Sequence, residues 1–295
     1  MRTRLMACAI GAAAVAATLT LPPLALAVGP AQPAEDPTAK ALTVVGLTMD
    51  QRLVEFRTDG PARTTDLGRV TGLSGDREVV GIDFRVQDGK LYGVGDRGGI
   101  YVLDRASAKA EKVSQLTVPL SGTAFGVDFN PAANRLRVIS DTGQNLRHNI
   151  DDSAAPKTTT TDGTLTNPAP PPGTAKPTTA KGVTGAAYTN NDLNSATATS
   201  LFDLDTGKAR LSLQSPANAG TLAPTGNLGA TTGPSAGFDI YFSPETKTNH
   251  GFATLQAGSD SRFHSVNVLT GAASGAANFP AGTKVFDIAL PLNQG

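Results

Sequence analysis

Val285-Phe286-Asp287-Ile288 is the last of five short segments that recur along the chain, after Gly81-Ile82-Asp83-Phe84, Gly126-Val127-Asp128-Phe129, Gly185-Ala186-Ala187-Tyr188 and Gly237-Phe238-Asp239-Ile240. Successive segments start 45, 59, 52 and 48 residues apart. Those intervals are close to the roughly 40 to 50 residues of propeller blades. Within an interval the order of smaller segments is also kept. After Gly81-Phe84 come Lys90-Leu91-Tyr92-Gly93-Val94, then Gly99 to Asp104, then Glu111-Lys112-Val113. Each is short, rich in β-branched or aromatic residues, and bounded by Gly, Asp or Asn, which marks strands separated by turns. The order returns at Arg135 to Ile139 with Asn145 to His148, and again at His250 to Leu255 with Arg262 to Val268.

The two ends decide how such a series closes. Leu42 to Leu47, Leu53 to Phe56 and Thr65 to Val70 read as three strands with no Gly-x-Asp-Phe segment before them, whereas Val285 to Leu292 is such a segment with no strands after it. Together they make one blade, so the expectation is an all-β, five-bladed β-propeller closed by the C-terminal strand joining the N-terminal blade. Closure of this kind leaves only short protected edges. The blades are expected at 285–292 with 42–71, then 79–118, 124–165, 183–228 and 235–279. An open β-sandwich also has many short strands, but it explains neither the repeat nor the matched incomplete ends. Two regions fit less well: the second strand of the fourth unit is poorly marked between Asn190 and Thr199, and Pro156 to Lys181 reads as a surface connector.

The chain has 295 residues, 25 basic and 25 acidic side chains, 32 Gly and one Cys. One cysteine excludes a disulfide scaffold. Balanced charge leaves no electrostatic footprint for nucleic acid or an anionic membrane. Residues 1–27 read as a secretory signal peptide: Arg2 and Arg4, an apolar run from Leu5 to Leu21 ended by Pro22-Pro23, then Ala25-Leu26-Ala27. A secreted location follows, with no stable membrane insertion after cleavage. Cys8 is lost with the signal, so the domain must be stabilised by burial and backbone hydrogen bonds alone. Residues 28–41, rich in Pro and Ala, read as a disordered leader, and 42–292 as a single domain.

The segments Asp141-Thr142-Gly143-Gln144-Asn145-Leu146-Arg147, Gly126 to Pro131, Asp162-Gly163-Thr164-Leu165 and Ala187-Tyr188-Thr189-Asn190-Asn191 together resemble a family of exported bacterial proteins catalogued as domain of unknown function 4394. The likeness covers about residues 42–292. It implies a propeller-like domain and export, and carries over no activity and no catalytic residues.

Several motifs have plain alternatives. Gly93-Val94-Gly95-Asp96-Arg97-Gly98 matches G-x-G-x-x-G, but a dinucleotide site needs a helix after the glycines, and Ile100 to Leu103 reads as a strand. Gly233-Pro234-Ser235-Ala236-Gly237 matches a nucleophile elbow, yet again a strand follows. His148, His250 and His264 are too scattered for zinc. If His250 and His264 share a hairpin near Gly258, they stand about three residues, roughly 10 Å, apart.

Two sets of residues remain as candidates. Asp83, Asp128, Asp239 and Asp287 occupy one repeated position near the expected axis, with Ala187 in the fourth unit. They either accept backbone N–H bonds as a repeated structural device or hold a hard cation such as Ca²⁺. No cofactor is otherwise implied. Asp96, Arg97, Asp141, Gln144, Asn145 and Arg147 are expected at one rim, a mixture suited to a polar ligand such as a sugar. The functional expectation is therefore an exported binding module for a polar small molecule, a glycan or a surface protein. The alternative is a secreted, glycan-acting hydrolase using channel aspartates with or without calcium, weakened because no Glu lies in a first-strand segment.

Overall fold

The computed structural model describes residues 40–153, 157–169, 176–194 and 196–294. The expected signal peptide and nearly all of the leader lie outside the described residues. β1 (Thr43–Thr48), β2 (Arg52–Arg57), β3 (Thr65–Arg69) and, from the far end of the chain, β22 (Val285–Ala289) form the first blade, in the order β22-β1-β2-β3. The second blade is β4 (Val79–Phe84), β5 (Leu91–Gly95), β6 (Gly99–Leu103) and β7 (Ala110–Gln115). The third is β8 (Phe125–Asn130), β9 (Arg135–Ser140), β10 (Asn145–His148) and β11 (Thr159–Thr161). A two-stranded hairpin of β12 (Thr166–Asn167) and β13 (Thr178–Thr179) follows, within the stretch expected to be a plain connector. The fourth blade is β14 (Val183–Tyr188), β15 (Leu201–Asp205), β16 (Arg210–Gln214) and β17 (Leu222–Asn227), and the fifth is β18 (Ala236–Ser243), β19 (Thr248–Ala257), β20 (Asp260–Val266) and β21 (Ala273–Asn278).

Five four-stranded antiparallel sheets are the expected blades, and the expected closure is present. β22 pairs antiparallel with β1 through Val45↔Ala289, Gly46↔Ile288 and Leu47↔Asp287. The five first strands also touch in a ring, β22 to β4 to β8 to β14 to β18 and back to β22. One unit spanning Ala41–Gly295 contains all of this.

The gradient from axis to rim explains the sequence pattern. An inner strand has a neighbouring blade on each face, so β14 is buried at all six positions and β5 at all five. An outer strand has solvent beside it, and β3 is exposed or half-exposed throughout. The clear apolar–polar alternation of a half-buried sheet is therefore missing from the inner strands. Blade contacts are closed by aromatic rings: Phe56 meets Phe263 and Phe279 edge-on at 5.2 and 5.0 Å, joining blades one and five. Such pairs add about 0.5–1.5 kcal/mol beyond the area they bury.

The fourth blade departs from expectation in one place. Its second strand is Leu201–Asp205, beyond the weakly marked stretch, and the residues between Tyr188 and Leu201 form a long connection. That connection is held by polar side chains, with Asn190 Nδ2 donating to the Ala198 carbonyl at 2.6 Å and Thr199 Oγ1 to the Thr189 carbonyl at 2.6 Å.

Candidate functional site

The repeated Gly and Asp serve the same face of the first strand. Residues two apart on a strand point the same way, and here that way is toward the next blade. A Cβ on Gly126 would stand 2.6 Å from the Ala186 nitrogen, and one on Gly237 would stand 2.5 Å from Asp287 Cα. Only glycine allows that approach, because the obstacle is backbone. Two residues further on, the carboxylate crosses the seam, which the glycine has narrowed in every aspartate segment but the last, where Val285 stands. Asp83 Oδ2 accepts the Phe129 N–H at 2.7 Å, Asp287 Oδ2 accepts the Ile82 N–H at 2.7 Å, and Asp239 Oδ2 accepts the Leu290 N–H at 2.6 Å. Asp128 accepts from the Tyr188 N–H. Asp83 and Asp239 also take the N–H of the following residue in their own strand, each at 2.6 Å. Four of the five seams are thus latched by one repeated device. The fifth, between blades four and five, has Ala187 instead. There Asn190 and Asn249 exchange hydrogen bonds at 2.8 and 2.7 Å, and Asn191 Nδ2 donates to the Ile240 carbonyl at 3.0 Å.

The latches bring charge to the axis. All four aspartates are buried, none more than 6% exposed. Asp83, Asp128 and Asp239 each place a carboxylate oxygen within 4.8 Å of the others, and Asp287 is outside this trio. Among the described residues this is the His, Cys, Asp and Glu group with the spacing to hold a metal ion. Burial, and then the neighbouring carboxylates, push the Asp83 and Asp128 carboxyls well above the usual range. Burial does the same to Asp287, and lifts Asp239 to about 6. Asp128 Oδ1 is buried with no hydrogen-bond partner.

At one end of the axis the chain forms a mouth. In four of the five blades the residue after the second strand turns back to the loop leading into the first: Met49 N–H to the Lys284 carbonyl at 2.9 Å, Asp96 to Glu78 at 3.0 Å, Asp141 to Ala124 at 3.0 Å and Thr206 to Gly182 at 2.8 Å. These two kinds of loop therefore share a face, as expected. They surround a hollow of about 120 Å³ lined from blades one, two, three and five, including Met49, Glu78, Thr123, Phe125, Ser235 and Phe286. Met49 is 54% exposed, and Phe125 and Phe286 are half-buried.

The six expected rim residues divide. Asp96 and Asp141 are at the rim but clamp the leading loops: Asp96 Oδ1 accepts the Arg77 N–H at 2.7 Å, and Asp141 accepts the Thr123 N–H and hydroxyl at 2.9 and 2.6 Å. Gln144 holds the Ser121 N–H and the Pro119 carbonyl. Arg97 is exposed. Asn145 and Arg147 lie on β10 instead, in the seam between blades three and four. Asn145 is buried against Arg137 at 2.7 Å, and Arg147 forks onto Asp162 at 2.6 and 2.9 Å.

The buried Arg137 is the group that sequence reading missed. It is 1% exposed and binds Tyr188, Asn145, Asp162 and Asn218, tying together the third and fourth blades. An arginine inside a β-branched strand, Arg135-Leu136-Arg137-Val138-Ile139, was its only signal. Other motifs resolve as turns and packing. Gly95 and Gly99 close on the chain's own Asp76, whose Oδ1 accepts the Arg97 N–H at 2.6 Å, so a β5–β6 hairpin holds a carboxylate where a pyrophosphate would need a helix. Ser235 borders the mouth, and the serine that meets a histidine is Ser114, buried, 2.8 Å from His148 Nε2. His148 Nδ1 meets Thr159 Oγ1 at 2.9 Å, a hydroxyl rather than the carboxylate of a catalytic triad. His264 pairs with Ala253 and His250 lies just before Gly251↔Val266, so the two histidines are three positions apart as expected.

Glycine-narrowed seams, aspartate latches and a strand borrowed from the chain's end define a closed five-bladed β-propeller. The chain belongs to the family described as Domain of unknown function (DUF4394), which matches residues 52–289. No curated protein matches it. Distant solved structures resemble it: a protein from Lactobacillus plantarum, 18% identical over 83% of this chain and 70% of that one, with a TM-score of 0.39. A protein of unknown function from Bacteroides thetaiotaomicron is 11% identical over 86% and 68%, with a TM-score of 0.44, and a chain of a nidogen/laminin complex is 7% identical over 87% and 100%, at 0.46.

Proposed function

We propose that this protein is an exported binding module whose seat is the mouth of the central channel, and that it takes one ring-sized unit of a polar ligand, such as a terminal sugar of a glycan. The observation that carries this reading is the hollow itself, where loops of four blades converge on half-buried Phe125 and Phe286, exposed Met49, and the polar groups of Glu78, Thr123 and Ser235. Ligand sites combine an apolar lining with a few orienting polar groups in this way. At about 120 Å³ the hollow is smaller than the roughly 300–1,000 Å³ that encloses a whole drug-sized molecule, so it suits one protruding unit of something larger. Export rests on the signal-like residues 1–27.

Binding is favoured over glycan hydrolysis by the state of the carboxylates. A glycosidase pair must face a bound glycosidic bond from both sides, whereas the four axial aspartates are buried and turned to backbone amides. Asp96, Asp141 and Gln144 then serve to set the loops around the seat, with the exposed Arg97 able to reach a bound partner.

Met49 is the sole methionine after Met6, so a ¹³C-methyl label gives one resonance from the mouth once residues 1–27 are removed. Titration with glucose, galactose and N-acetylglucosamine to millimolar concentration should move that resonance with at least one sugar, and Phe125→Ala or Glu78→Ala should weaken binding about tenfold or more, corresponding to loss of one good contact. A resonance that stays fixed with every sugar overturns the sugar reading. Unchanged affinity in both variants moves the seat elsewhere.

A further inference from the structure

The N–H latches explain why each axial carboxylate is buried. They do not explain why three of them converge. A latch needs only its own seam, and Asp287 latches without joining the trio. A carboxylate has about four lone-pair sites, and Asp83 and Asp239 use two each on N–H donors. Asp128 keeps one oxygen with no partner at all, though the residue is 1% exposed. Buried acceptors of this kind are rare and mark a missing partner.

Charge narrows what that partner is. Asp203 is equally buried with both oxygens unpartnered, and burial raises its carboxyl too, but there the Arg137 guanidinium acts against the rise. Asp83 and Asp239 face backbone N–H donors and further carboxylates. Asp128 faces the same carboxylates and stands opposite Arg137 in the strand register, but that guanidinium is taken up by Tyr188, Asn145, Asp162 and Asn218. Like charges this close in a poorly solvated interior repel strongly. We propose that Asp83, Asp128 and Asp239 hold a divalent hard cation, of the size of Ca²⁺, on the propeller axis. Oxygens bound at about 2.4 Å from one ion lie at most about 4.8 Å from one another, and the trio meets that limit. The ion would complete the device that the latches begin, tying blades two, three and five across the axis.

The test uses the folded chain after chelation and dialysis. Equilibrium dialysis against CaCl₂ should return one ion per chain, and Ca²⁺ at about 100 times its Kd should raise the melting temperature by about 5 °C or more. Asp128→Asn should lose most of both effects. Asp287→Asn should lower the melting temperature and keep the calcium shift, since Asp287 latches without ligating. Absence of bound calcium in the wild-type protein overturns the proposal. So does a chelated protein whose melting temperature is unmoved by Ca²⁺. If Asp128→Asn does not fold, the wild-type dialysis alone decides.

Discussion

Two seams of the ring do the same work with different chemistry. Between blades two and three, Asp83 spans the seam in one step, accepting the Phe129 N–H while its own strand supplies a second donor. Between blades four and five, Ala187 stands in the aspartate's place, and the join has moved outward to Asn190, Asn191 and Asn249 at the strand ends. The first arrangement buries charge near the axis. The second keeps the seam neutral, so no further carboxylate crowds the trio. A fifth aspartate would add a like charge to groups already pushed toward protonation by burial and by one another. The exception in the repeat is therefore part of how the repeat is tolerated.

The comparison breaks most completely if the ring is opened. Deleting residues 285–295 removes the edge partner of β1, the buried Val285, Ile288 and Leu290, and the two latches that join the first blade to blades two and five. Circular dichroism should then show no cooperative melting transition. A smaller loss separates the two kinds of seam. Asp287→Ala leaves the buried Ile82 N–H without an acceptor, costing about 2–3 kcal/mol. Asn249→Ala at the neutral seam should cost about 1 kcal/mol, because its partners lie nearer solvent. Urea unfolding measures both, and equal costs would show that the axial position has no special weight.

A pH dependence is expected in the same seam as Asp83, between the outer strands of blades two and three. His148 joins Ser114 of blade two to Thr159 of its own blade, and burial depresses its pKa to about 4. The unfolded chain takes up this proton near pH 6.5 and the folded chain only near 4, so stability falls as pH drops through that window. His148→Gln should flatten the fall between pH 6.5 and 4 in a series of melting curves.

The fold was legible because Gly-x-Asp is a backbone requirement. Glycine where a neighbouring strand presses in, and a carboxylate two residues later, leave a mark that survives changes in every surrounding side chain. The closure was legible for the same reason, since Asp287 shows the last strand to be a first strand. The fourth blade was harder, because its second strand follows a long connection whose Asn and Thr residues imitate the turn chemistry of a blade boundary. At the site the residue types misled by position. Asn145 and Arg147 look like rim groups when read beside Asp141-Thr142-Gly143, yet strand β10 begins at Asn145 and carries both into the seam beside Arg137. The convergence of three aspartates from blades two, three and five is set by the radius of the closed ring, which no local pattern records.

Native-state hydrogen exchange of the Ile82, Phe129 and Leu290 amides tests the latched ring most directly. All three should exchange only through global unfolding, in the slowest class of the protein and with one shared free energy. Exchange of any of them as fast as the loop amides around Asn190 would contradict a ring held shut by its aspartates.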